Sequence, residues 1–154
     1  MLYRPQSGVG STLIHPLSPG LADALLLIAR VLMGYIFVVS GWGKLMGFAG
    51  FVASMEQRGV PYALAVVGPV VEFLGGLALV FGVATPYAVL ALIAFMFVAT
   101  GISHRFWEYA EPARRAQLIN FEKNIAMTGG LLALFVAGPG SFSVDHLFTR
   151  RKSS

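Results

Sequence analysis

Two charged residues, Arg30 and Glu72, sit inside stretches that are otherwise apolar. Within hydrocarbon a charged side chain costs several kcal/mol, so such residues turn away from lipid and find partners. An arginine and a glutamate at one depth would form an intramembrane ion pair, and beside a polar pocket they could bind a ligand or move protons. A second set of polar residues stands at the ends of apolar stretches: Trp42 and Lys44, then His104, then Lys123 and Asn124. Read together, these seven residues are the candidates for ligand or proton handling. No catalytic residue can be singled out among them.

The elements that position them are membrane helices. Apolar residues make up 56% of the 154-residue chain and charged residues only 12%. A soluble domain carries roughly a quarter charged residues because its surface faces water. No charged side chain occurs from Phe73 to Ser103. A span needs about 20 residues, so that run holds parts of two spans. It breaks at Gly82–Pro86, where Pro86 suits a helix start and disfavours helix at Thr85. The uncharged run from Ile125 to Val144 supplies another span, stopped by Gly138-Pro139-Gly140. The chain therefore reads as all-α, a single transmembrane domain over 1–154. It is expected to be a four-helix transmembrane bundle with spans at about 20–42, 61–82, 86–104 and 119–138. Ser18 and Pro19 suit the start of the first span.

Between the first two spans, Leu45, Phe48, Phe51, Val52 and Met55 recur at spacings of three and four, predicting an amphipathic interfacial helix within 45–58. Residues 105–118 read as a solvated connection, with Phe106, Trp107 and Tyr109 at the aromatic belt. Four spans place both termini on one side of the bacterial cytoplasmic membrane. The basic cluster Arg150, Arg151 and Lys152 favours the cytoplasmic side for them. No cleavable signal peptide is visible in Met1–Gly20, which holds one arginine, Arg4, and no continuous apolar core.

Helix direction sets the expected geometry. Arg30 lies about 12 residues before the end of the first span and Glu72 about 11 after the start of the second. At 1.5 Å per residue both stand roughly 17 Å from the same face. Gly68, Glu72 and Gly76 fall at i, i+4 and i+8, and Arg30 and Gly34 share that spacing, giving small-residue faces for close helix contact. An Arg30–Glu72 ion pair is expected, serving either as a structural staple or as the wall of a polar pocket. Trp42, Lys44, His104, Lys123 and Asn124 are expected to surround one mouth of the bundle. The bland alternatives are a satisfied interfacial histidine and snorkelling lysines.

Several chemistries are excluded or disfavoured. The chain has no cysteine, which removes disulfides, thiolate metal sites and cysteine-ligated iron–sulfur clusters. Metal binding is not expected, since His15, His104 and His146 are the only histidines and one is placed opposite the other two. The net charge of +4 reflects membrane flanks rather than nucleic-acid binding.

Several segments together resemble the DoxX family of small bacterial membrane proteins. They are Arg30–Gly34 with Ser40–Leu45, Val71–Gly76, Ser103–Trp107, Glu122–Ala126 with Gly129-Gly130, and Gly138–Asp145. The resemblance implies a four-helix transmembrane bundle. It places Arg30, Glu72, His104, Lys123 and Asn124 at the polar positions of the family motifs. Some relatives are associated with thiosulfate:quinone oxidoreductase, others with membrane complexes that handle oxidative or thiol stress. The implied role is a membrane subunit or accessory protein of quinone-linked redox chemistry, with quinone as the ligand. Its partners would be the lipid bilayer and either a redox protein or further copies of the chain. The absent cysteines exclude a persulfide carried on this chain. The alternative is a non-enzymatic scaffold, assembly factor or small-solute carrier.

Overall fold

The computed structural model describes residues 17–151. The expectations about a signal peptide, Arg4 and His15 lie outside those residues, as does Lys152. Among the described residues the structure is helical, with no strand. The helices are α1 (Pro19–Met46), α2 (Phe48–Glu56), α3 (Tyr62–Phe81), α4 (Thr85–Ser103), α5 (Ala113–Ala137) and α6 (Val144–Arg151), with a 3-10 turn at Phe106–Glu108. Among the described residues three stretches are long and apolar enough to cross a membrane: Pro19–Met46, Tyr62–Phe81 and Thr85–Glu108.

Local chemistry explains the boundaries. Pro19 occupies the first turn of α1, although Ser18 makes no side-chain cap and contributes only its carbonyl to Ala22 N–H. Gly82 ends α3 in the left-handed conformation, which glycine adopts without a Cβ penalty. The break therefore falls where the sequence places it. Two boundaries differ from expectation. The first helix runs on to Met46, because nothing between Trp42 and Met46 stops it, and Gly47 closes it. α5 begins at Ala113, not near 119, so half of the expected solvated connection is helical. Its first half carries Arg114, Arg115, Glu122 and Lys123, leaving only Asn124–Ala137 free of charge. That apolar part rises about 21 Å, against a hydrocarbon core of roughly 30 Å.

The four long helices pack in a ring: α1 on α3, α3 on α4, α4 on α5 and α5 back on α1. The α1–α3 contact is the most extensive, and glycine makes it possible. A Cβ on Gly34 would stand 2.7 Å from the Gly76 carbonyl oxygen, and one on Gly41 would stand 2.7 Å from Phe73 N. Backbones this close exclude any larger residue. Phe37, Leu79, Val89, Leu92, Met96, Leu131 and Leu134 fill the ring. α2 buries Val52 and Met55 against Val60 and Ala65, with Phe48, Phe51 and Ile102 around them, so the segment expected to be amphipathic packs under α3.

Candidate functional site

The close α1–α3 contact fixes which charges can meet. Gly34 lies against Gly76 and Gly41 against Phe73. Glu72 is therefore level with the last turns of α1, whereas Arg30 is level with the last turn of α3. The expected Arg30–Glu72 pair is not formed. α1 extends four residues past its expected end and α2 is interposed before α3, so equal counts from the two ends do not give equal depths. About eleven residues, roughly 16 Å along α1, separate Arg30 from the level of Glu72. Both residues do point inward, at 0% and 4% exposure.

Glu72 instead pairs with Lys44, whose Nζ donates to Oε2 at 2.6 Å. The lysine occupies the last turn of α1, where a cation also favours the helix dipole. Its ammonium stands 5.6 Å from the Phe95 ring centroid and 5.9 Å from that of Phe51. The pair is asymmetric, since the Lys44 side chain is 30% exposed and that of Glu72 only 6%.

Around this pair lies a cavity of about 100 Å³. Lys44, Glu72, His104, Lys123 and Asn124 all line it, with Ser40, Phe37 and Phe95 among the other walls. Five of the seven candidates thus converge. His104 caps α4, and its Nδ1 lies 2.9 Å from Gln117 Oε1. With the amide oxygen as acceptor, Nδ1 is the donor of this contact. Lys123 Nζ donates to Asn120 Oδ1 at 3.1 Å. Asn124 is buried and donates from Nδ2 to Thr100 Oγ1 at 2.8 Å. Two ammoniums, one carboxylate, an amide and an imidazole therefore face a space whose other walls, Ser40 apart, are apolar. Such a set can donate hydrogen bonds to carbonyl or other acceptor oxygens and hold protons near them.

Trp42 is not among the walls. It is half exposed and packs on Phe73 with ring centroids 5.6 Å apart, because its position on α1 faces outward, away from the wall formed by Lys44. Arg30 belongs to the opposite end of the ring. Its guanidinium donates to the Phe142 carbonyl oxygen and to Leu79 O at 3.5 Å, holding the segment after α5 against the end of α3. Asp145 completes that end, accepting from Ala84 N–H at 2.7 Å and Thr85 N–H at 2.8 Å, the first amides of α4. Partial burial works against its ionised form, but these hydrogen bonds and the Arg30 charge hold its carboxyl below the usual range. Asp23 likewise accepts from Ser141 N–H at 2.8 Å.

Thr100, Gln117 and Asn120 are the site residues that sequence reasoning missed. A signal exists for two of them: Gln117, Asn120 and Asn124 recur at spacings of three and four, a polar stripe on one face of α5. Thr100 stands four residues before His104 on α4, the same face one turn away.

A helical chain with three such spans is a multi-pass membrane protein. Comparison with known proteins narrows this. The DoxX family model matches residues 25–105, more than half of the chain, so the protein belongs to the DoxX family. The match runs from Leu25 in α1 to just past the end of α4 and includes Lys44, Glu72 and His104; Lys123 and Asn124 lie beyond it. Over 131 residues the chain is 36% identical to the inner membrane protein YqjF of Escherichia coli (strain K12), covering 85% of this chain and 97% of that one. It is 38% identical over 128 residues to the inner membrane protein YphA of the same organism, covering 79% and 89%. A shorter likeness, 37% over 59 residues, joins it to the "Putative oxidoreductase CatD" of Bacillus subtilis (strain 168), covering 38% and 44%. No solved structure matches the chain. Its spans and these relatives make it a multi-pass inner-membrane protein.

Proposed function

We propose that this chain is a membrane subunit or accessory protein of quinone-linked redox chemistry, in which α5 forms a fourth span and closes a polar pocket around a quinone head group. The observation that carries the reading is the convergence of Lys44, Glu72, His104, Lys123 and Asn124 on one chamber inside a membrane protein. Reduction of a quinone to a quinol takes two electrons and two protons. Ammonium and amide donors at Lys44, Lys123 and Asn124 suit the two carbonyl oxygens, and His104 and the Lys44–Glu72 pair suit proton delivery. The sequence carries no recognisable redox-cofactor motif, so the electrons come from a partner redox protein or a soluble donor. The likeness to a relative named as an oxidoreductase supports the same class.

In this arrangement α5 enters with its charged first half at the membrane surface, and both connections, 47–61 and 104–112, face one side. The termini then share the other side, which the basic cluster Arg150, Arg151 and Lys152 makes the cytoplasmic one. The second reading is a non-enzymatic scaffold, assembly factor or carrier, in which the Lys44–Glu72 contact is only a staple. It is favoured by the mutual satisfaction of that pair, whose short contact leaves neither charge seeking a ligand.

Lipid extraction of the protein purified from native membranes separates the two. Quinone retained near one per protein, and lost on Asn124→Leu, supports the first reading. Protein that retains no quinone and takes up none when supplied in nanodiscs refutes it. Native mass spectrometry of the same sample identifies the redox partner or a homo-oligomer.

A further inference from the structure

The polar chamber is too small to enclose a complete ligand. It measures about 100 Å³, whereas cavities that bury small organic ligands run from roughly 300 to 1000 Å³. Beside it lies a second, apolar cavity of about 380 Å³ between α3 and α4, floored by Phe51 and Met55 of α2. Lys44, Phe95 and Ala99 line both spaces, so these three side chains are the wall between them. Small residues open the second space: Gly68 on α3 faces Ala91 and Ala94 on α4, with Ala91 and Ala94 exposed on the helix flank. In a membrane that flank meets lipid.

We propose that the chamber's ligand enters sideways from the bilayer and leaves an apolar tail in the α3–α4 groove, with the Lys44 ammonium at the junction of head and tail. This rests on the reading of the chamber as a quinone-head site and adds the route and the tail requirement. The placement of Lys44 carries it. Its ammonium is held from one side by the Glu72 carboxylate and flanked by the Phe95 and Phe51 rings, so it marks the point where the lining changes from polar to apolar. A ligand whose polar end touches Lys44 from the chamber has its attached chain directed past Phe95 into the groove. An entirely polar solute leaves the groove unfilled, and an entirely apolar one leaves the chamber's donors unmet. The class that satisfies both is an isoprenoid-tailed or alkyl-tailed quinone.

The test uses the full-length protein in nanodiscs with two probes, a benzoquinone carrying a decyl chain and the same ring without it, binding being read as ligand-dependent thermal stabilisation. Ala91→Leu and Ala94→Leu fill the groove without touching the chamber. Both residues line only the groove and are exposed on the flank of α4, so neither substitution displaces the core. Each is expected to weaken the decyl probe about tenfold or more, since the tail's burial supplies that affinity, and to leave the tail-less ring unchanged. Asn124→Leu is expected to weaken both probes. If the ring binds and responds to Asn124→Leu while the groove variants leave the decyl probe unaffected, the groove assignment is wrong and the head site stands. If neither probe binds the wild-type protein, the head site and the groove fall together. A phospholipid that native mass spectrometry finds retained while the decyl probe saturates assigns the groove to lipid instead, and overturns the proposal.

Discussion

Removing one partner of the Lys44–Glu72 pair should produce an asymmetric penalty. Lys44→Met strands a carboxylate that is only 4% exposed. Stranding a buried charge typically costs about 3–5 kcal/mol. The expected loss is therefore about 3 kcal/mol. Glu72→Gln leaves Lys44, which is 30% exposed on a flexible stem and can turn its ammonium towards the surface. That loss should be about 1 kcal/mol, nearer the value of a partly solvated ion pair. In the double variant no charge is stranded, so it should be more stable than Lys44→Met alone, with a coupling of about 1–3 kcal/mol. Equilibrium unfolding of the four proteins in one detergent, followed by circular dichroism, measures all three numbers. Strictly additive losses, or a Glu72→Gln penalty as large as that of Lys44→Met, would refute the assignment of this pair and its asymmetry.

Other consequences follow from the same contacts. Arg30→Met combined with Glu72→Gln should be additive within about 0.5 kcal/mol, because the two residues occupy different ends of the ring and share no partner; a strong coupling in that cycle would restore the direct pair. Arg30→Met alone should loosen the segment after α5, seen as faster amide exchange at Phe142–Asp145 with little change in α2. Gly34→Leu should destabilise more than Gly20→Leu, by about 1–3 kcal/mol or more, since a Cβ at Gly34 already meets backbone while Gly20 faces open space. Asp145→Asn should cost about 1 kcal/mol, as lost helix caps do. Because the folded carboxyl of Asp145 lies below its ordinary value, its contribution is fully present above about pH 4 and fades as the pH falls through the folded value; an Asp145→Asn variant should therefore differ from the wild type at pH 7 and converge with it in strong acid. Since the natural chain has no cysteine, single cysteines at Glu56 and Glu111 should react with an impermeant reagent from one side of the membrane and one at Ser154 from the other, and any other pattern excludes four spans.

The helices were legible because their causes are local. Uncharged runs of the length that hydrocarbon demands, the Gly82–Pro86 break and the spacing of Phe48, Phe51, Val52 and Met55 act within one or two turns of chain. Composition alone likewise placed Arg30 and Glu72 inside, because lipid rejects both charges wherever the helices meet. Pairing was another matter. Which carboxylate meets which cation depends on how α1 slides along α3, and that is decided by Gly34 seating on Gly76 and Gly41 on Phe73, contacts about 30 to 40 residues apart in sequence. Sliding one helix by about four turns exchanges Arg30 for Lys44 as the partner of Glu72 without altering either hydrophobic pattern. The Arg30 end depends on a still longer connection, since Phe142 and Asp145 return from beyond α5 to meet α1, α3 and α4. Polarity and period, written in the sequence, determined which residues lie inside; only the close packing of glycine-bearing helices in three dimensions decided which of them face the same chamber.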